Sequence, residues 1–531
     1  MKKKILSILL VVMLLLPALG GFSASATDSA SVYSGTPDMT FWEAAIESEQ
    51  TEILVTTADQ LMGFASLTSS MNFEGYTIKL GADITVNAGD SATWKATAPT
   101  HAWSCSTAHD FRFAGTFDGQ GHTISGLYSK TEQECGLFGT VASGTVIKNV
   151  KVVNSYFEYL YIKDAKNNCG MGGIAGRVDA GNVVTGKTST IANCYVEAIL
   201  YTSATASDSV GKTGMGGIVG YAGSNFDRQD NTLNIENCTF VGSIEGFRFI
   251  GGITGRLDTD GMANIKNCRV DADIVTNVSG TTDTGAAMLV GCVARHSLSV
   301  ENCLIEGTLK CSESTSKTGT LIGYVDTNAD DNEKSLNITN VLIASTPVDT
   351  AYTTVLFTTN LRKEITGSLE NIVYDSNVYT GATSNHIVIA TRDSKTLGFT
   401  DASVNSFKAT AKTTAELQGA GGKALFSAWT EVAGDYPTPT TPISITESEG
   451  GFDGSNVVPS NPSGDKEDDT TVTEDEAKTA TDTQAATSDK TDATTEDSGC
   501  GSSVGMVGMV ALIITLAGIT LITSKKSRGE I

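Results

Sequence analysis

Between residues 147 and 372 the apolar and polar positions follow one repeated scheme. After each of several asparagines, alternate residues are apolar or small: Cys194, Val196, Ala198, Leu200; Cys238, Phe240, Gly242, Ile244; Cys268, Val270, Ala272, Ile274; and Cys303, Ile305, Gly307, Leu309. The residues between them include Glu197, Thr239, Arg269, Asp271, Asp273, Glu306 and Lys310. Successive side chains of a strand point to opposite sides, so this period of two predicts strands with one buried and one wet face. The third buried position is always small, which suits a narrowing of the core. Upstream, an apolar residue stands three positions before each Cys or its equivalent, as in Ile147-Lys-Asn149-Val150, Ile235-Glu-Asn237-Cys238 and Val300-Glu-Asn302-Cys303. Two buried residues an odd number apart cannot share one straight strand. The chain must therefore turn at the asparagine, a residue that tolerates left-handed backbone.

Seven such asparagines recur, at Asn149, Asn193, Asn237, Asn267, Asn302, Asn340 and Asn371, between 30 and 44 residues apart. Ahead of most of them lies a glycine element: Gly136-Leu-Phe-Gly139, Gly172-Gly-Ile-Ala-Gly176, Gly216-Gly-Ile-Val-Gly220, Gly251-Gly-Ile-Thr-Gly255 and Gly319-Thr-Leu-Ile-Gly323, with a degenerate copy ending at Gly291. Uneven spacing is poor for packed helical pairs and natural for coils with variable loops. The expected body is an all-β parallel solenoid in which the asparagines stack into a structural amide ladder at the strand spacing of about 4.8 Å.

The run from Phe113 to Leu127 (FAGTFDGQGHTISGL), followed by the glycine elements, resembles proteins with GLUG-motif repeats, found on bacterial cell surfaces and in some adhesins and IgA-directed metallopeptidases. The resemblance covers about residues 51–437 and implies a right-handed parallel β-helix with short helical caps. Together with the readings of the two ends given below, it leads to an organisation of leader 1–26, N-terminal segment and cap 27–97, repeat β-helix 98–406, C-terminal cap 407–445, stalk 446–503, span 504–523 and tail 524–531. Thr57 with Gln60 forms a capping-box pattern that opens a helix through about Leu67. That helix is placed to cover the first coil.

The ends suggest export. Lys2, Lys3 and Lys4 precede an apolar run and the small-residue site Ala24-Ser25-Ala26, the arrangement of a secretory leader. Residues 504–523 are uncharged and, as a helix, long enough to cross a bilayer; Lys525, Lys526 and Arg528 follow. The expected placement is a single-pass membrane protein, its body outside and its C-terminus in the cytoplasm, with the bilayer as partner. The formal net charge is −24, and residues 447–497 hold 15 acidic residues against three lysines, so that stretch reads as a disordered, self-repelling spacer. An acidic chain without a basic patch excludes nucleic acid as a partner.

Candidate chemistry is sparse. None of the histidines, His101, His109, His122, His296 and His386, lies in a His-Glu-x-x-His pattern, so the peptidase of some GLUG proteins finds no support, and neither a metal nor a cofactor is expected. Asp118 reads as a turn residue. The run from Asp326 to Glu333 imitates the start of a calcium loop but lacks the glycine at its sixth place. For ligand binding, Phe157 and Tyr201 fall seven positions after Val150 and Cys194; with Tyr159 and Tyr161 they form a candidate outward platform for a sugar or a surface protein. The ten cysteines of an exported chain suggest disulfides. Cys194, Cys238, Cys268 and Cys303, however, share a core column with Val150, Val341 and Ile372 and are expected to stay free; Cys105, Cys135 and Cys169 are the better candidates for a bridge. The expected function is a non-enzymatic adhesin or surface display module that binds a host or cell-surface ligand, glycans included. A polysaccharide-active β-helix enzyme and a purely structural surface-layer component are the alternatives.

Overall fold

A computed structural model describes residues 30–439, except 107–110, 161–169, 180–185, 204–212, 224–229, 259, 277–284, 312–316, 328–332, 349–352, 381–384, 390 and 393–394. The expected leader, stalk, span and tail lie outside the described residues, as do Tyr161, Cys169 and most of the calcium-like run.

Each full coil supplies four strands. In one they are Gly214–Gly216, Val219–Ala222, Thr232–Glu236 and Thr239–Gly246; in the next they are Phe249–Gly251, Thr254–Leu257, Met262–Lys266 and Arg269–Thr276. Equivalent strands pair in parallel, Ile235 against Ile265, Phe240 against Val270 and Ile244 against Ile274. Stacking builds three parallel sheets of six, eight and 19 strands among the described residues. The largest takes the two strands on either side of each asparagine. The fold is thus a mostly parallel, solenoid-like all-β structure with few helices.

The corner is made as the sequence requires. All seven asparagines hold left-handed backbone, with φ between 48° and 55°. Their amides form a relay from coil to coil: Asn149 Nδ2 donates to Asp118 Oδ1 at 2.9 Å, Asn193 to Asn149 at 2.9 Å, Asn237 to Asn193 at 3.0 Å, Asn267 to Asn237 at 3.0 Å and Asn302 to Asn267 at 3.1 Å. Asn371 donates to Asn340 at 2.8 Å. Asp118 starts the relay and also closes its own turn by accepting from Gln120 N at 3.0 Å.

The glycine elements answer a different demand. A Cβ at Gly217 would lie 2.2 Å from Gly252 O and from the Phe240 ring, and one at Gly220 would lie 2.3 Å from Met171 N. Only glycine lets the backbones approach this closely where the coil folds from one sheet to the next. The alternating residues fill one continuous core, with Ile191, Ile235, Ile265, Cys238 and Val270 all buried. Cys194, Cys238, Cys268 and Cys303 are free and buried, and their thiols approach main-chain oxygens, Cys238 Sγ at 3.3 Å from Glu236 O. Burial pushes the thiols of Cys194 and Cys268 well up, so they stay protonated. Cys105 and Cys135 are also free, so the bridge suggested for that group does not join these two.

Helix Ala58–Leu67 begins at the Thr57 and Gln60 capping box and buries Leu61 and Phe64 in the first coils. The C-terminal cap departs from expectation. Residues 399–412 close the last coil, through Phe399, Val404 and the strand Thr410–Lys412 paired with Thr366–Asp375. The segment from Leu417 to Tyr436 instead lies along the flank of the largest sheet. There Leu417, Phe426, Trp429 and Tyr436 cover Leu304, Leu342, Ala344 and Val373. The outward residues of these coils are apolar only beneath this strap, which explains a break in the alternation that the repeat pattern alone does not account for.

Facing can be tested directly. Ile235→Asp puts a carboxyl in the core and is expected to cost roughly 3 kcal/mol or more in chemical denaturation. Glu236→Ala, one residue on and facing out, is expected within about half a kcal/mol of neutral. Equal losses would contradict the facing.

Candidate functional site

The expected aromatic platform does not form as predicted. Asn154 adopts left-handed backbone, φ 47°, and two residues, Val153 and Asn154, stand opposite Glu197 alone. This β-bulge shifts the register by one, so Phe157 pairs with Leu200 rather than Tyr201 and turns into the core. Phe157 is fully buried and Tyr159 is buried in the same cluster. Tyr161 lies outside the described residues. Of the four, Tyr201 alone is placed outward, half-buried beside Ile199.

The outward aromatics beside the bulge are instead Tyr128, Tyr156 and Tyr201, and the chain covers them itself. Trp94 packs edge-on against Tyr128 at 6.1 Å, and Tyr128 stacks on Tyr156 at 5.8 Å. Lys95 Nζ sits 3.6 Å above the Tyr201 ring and 3.3 Å from Glu245 Oε2. Asn154 holds this first strap by accepting from Ser91 N at 2.8 Å and donating to Gly89 O at 2.6 Å. The same bulge that inverts Phe157 therefore anchors the cover.

Two straps thus lie on one outer face, that of residues 90–97 toward the N-terminus and that of Leu417–Tyr436 toward the C-terminus. Trp429 Nε1 reaches Asn302 Oδ1 at 3.4 Å, and Tyr436 donates to Asp375 Oδ2 at 2.7 Å. Between the straps the floor carries Tyr195 and Glu197 on one strand, Arg269, Asp271 and Asp273 on another, and Glu306 and Thr308 on a third. Register sets Asp271 opposite Glu306 and Asp273 opposite Thr308. Arg269 joins both acids, Nε to Glu306 Oε2 at 2.7 Å and NH2 to Asp271 Oδ2 at 3.2 Å, while Thr308 donates to Asp273 at 2.6 Å.

Exposure grades across the floor, from 14% for the Glu306 side chain to 45% for that of Asp271. Burial, with repulsion from Asp271 and Asp435 of the strap, outweighs Arg269 and pushes the Glu306 carboxyl up to about 7. Burial also raises Glu197 and Tyr195. The floor therefore offers a proton donor near neutrality, a guanidinium, a phenol and further carboxyls within four successive coils. Such a mixture can bind a polar ligand and exchange protons with it.

A second constellation is buried. Arg177, Tyr221, Arg256, Cys292 and Tyr324 occupy one register column of the eight-stranded sheet. Asp258 gathers Arg256 at 3.0 Å, Arg295 at 2.9 Å and the Tyr221 hydroxyl at 3.1 Å, and Arg177 donates to Gly223 O at 3.0 Å. Burial pushes His296 down to about 3 and Cys292 up to about 12. Neither group is available as base or nucleophile near neutrality, and the column serves cohesion between coils. Its signal was present in the sequence, since every member directly follows the last glycine of a glycine element. The floor had no such signal: its residues are scattered over three repeats, and the straps that bound it come from outside them. Among the described residues no group of three or more His, Cys, Asp or Glu could hold a metal ion.

No protein-family model matches the chain, and no curated protein does. Two solved chains match. One is the crystal structure, at 1.30 Å resolution, of a Bacteroides ovatus protein provisionally described as an immunoglobulin A1 protease; it is 18% identical over 74% of this chain and 92% of that one, with a TM-score of 0.42. That protein bears an enzyme's name, whereas the sequence led to the expectation of a non-enzymatic body. Among the described residues, which do not include 504–523, no helix is long and apolar enough to cross a membrane, so the structure lends the expected single-pass placement no support.

The Glu306 environment yields a pH test. Its folded carboxyl titrates above the ordinary 4.5, so the folded state holds the proton more tightly and wild-type stability falls, relative to Glu306→Gln, as pH rises from about 4.5 to about 7. Denaturation of the two proteins across that window is expected to show the variant gaining on the wild type and levelling above it. A constant difference would contradict the assignment.

Proposed function

We propose that the chain is a secreted or surface-exposed repeat protein whose cleft between the two straps binds an extended saccharide of a host or neighbouring cell. The observation that carries this is the half-buried polar floor of Tyr195, Glu197, Arg269, Asp271 and Glu306 on a parallel sheet, with the chain's own straps on both sides. Sugars are recognised by side chains of this mixture, with fixed donors and acceptors and an aromatic edge. The leader pattern at residues 1–26 and the likeness to GLUG repeats, with the right-handed winding it implies, support an extracellular setting. A glycan array probed with the full mature chain tests the reading. Arg269→Ala and Tyr195→Ala are expected to lower retention about tenfold or more, while Lys395→Ala, exposed and distant, leaves it unchanged. Equal retention by all three would dismiss the cleft.

A second reading has its own observation, the carboxyl of Glu306 held near 7 beside the more open Asp271. In glycosidic hydrolysis Glu306 would give its proton to the bridging oxygen, water would attack the anomeric carbon, and Asp271 would take the water's proton. Release of reducing ends from bound oligosaccharide, lost in Glu306→Gln with binding intact, favours this reading. Binding without turnover in the wild type excludes it.

A further inference from the structure

The same sheet has a second outer surface, on the strands that precede each asparagine, and neither strap reaches it. Its central rank is Thr190, Asn234, Asn264, Ser299, Asn337 and Ser368, aligned residue for residue through six coils. The rank two residues earlier is threonine or serine in five of the six coils, Met262 being the exception. Every member of both ranks is at least partly exposed. The side chains are already ordered: Asn264 donates to Asn234 at 2.9 Å and Ser368 to Asn337 at 2.9 Å. On the far side of the central rank, Lys266 is paired with Glu301 at 2.9 Å, and the asparagine relay runs just beyond.

At a strand spacing of about 4.8 Å, six aligned coils make a row of hydroxyls and amides about 24 Å long. The ranks carry no charge, in a chain whose net charge of −24 repels polyanions. A protein partner would need apolar or aromatic anchors, and Met262 is the one apolar side chain in the two ranks. What fits is a neutral polymer that presents hydrogen-bonding groups at nearly the step of the coils, and an extended β-linked glycan advances by a similar step per sugar. Because the short side chains are held by each other, little freedom is lost when such a polymer is bound.

We infer that this face docks a neutral, extended polysaccharide, laid across the strands so that successive sugars meet successive coils. The face is separate from the cleft, and the inference stands without it. Each contact is weak, so retention depends on several coils at once and rises with polymer length.

Co-sedimentation of the full mature chain with insoluble β-1,4-glucan, chitin, starch granules and pectate gel is the test. The expected result is retention on one or both of the extended neutral polymers and none on pectate. Replacing Asn234 and Asn264 together by Leu, similar in size and without hydrogen-bonding groups, is expected to lower retention about tenfold, whereas Lys395→Ala, exposed on the separate two-stranded sheet and in neither the ranks nor the cleft, leaves it unchanged. Should the double variant melt early, Ser299→Tyr blocks the same row from a neighbouring coil and is expected to act alike. No retention on either extended polymer, undiminished retention in folded variants, or a concentration-dependent dimer of the wild type that the substitutions abolish would each overturn the inference, the last by showing that the face meets a second copy.

Discussion

The left-handed asparagine between the two strands of each coil is the constraint on which the rest depends. An L-residue in that conformation costs roughly 1–2 kcal/mol, and asparagine offsets it with a short amide that bonds locally. Here the amide bonds to its equivalent in the next coil. Since each relay bond requires equivalent residues to stack, it fixes the register of the strands before and after the corner together. A one-residue slip on either side would exchange core and solvent faces.

Function inherits that register. Arg269 reaches both Asp271 and Glu306 because the latter two occupy matched positions on neighbouring strands, and the neutral ranks before the corner line up for the same reason. The straps use the gaps in the scheme. Trp429 takes Asn302 Oδ1, and no amide bond joins Asn340 to Asn302, so the C-terminal strap is seated where the relay pauses. The bulge at Asn154 seats the other strap. Departures from the repeat, rather than the repeat itself, define the cleft.

Much of the fold was legible in the sequence for that reason. The period of two after each asparagine named the core column from Cys194 to Ile372, and the odd spacing from Ile235 to Cys238 demanded a corner. What escaped was non-periodic. Counting seven residues from Val150 to Phe157 assumed an unbroken strand, and one extra residue reversed the result. Residues 417–436 carry apolar side chains at no strand period, so their docking on Leu304 and Leu342 could not be inferred from pattern. The cleft acids lie in three separate repeats and read as ordinary solvated positions until the register brings them together.

The central claim is that the left-handed backbone and the amide relay of the asparagines set the coil register. Substitution of Asn237, in the middle of the relay, separates the two contributions. Asn237→Gly keeps access to the left-handed region and loses the amide bonds, an expected loss of about 1–2 kcal/mol in denaturant unfolding. Asn237→Ala loses both and is expected to fall about 1 kcal/mol further. Equal stability of the glycine and alanine variants, or no loss in either, would contradict the account.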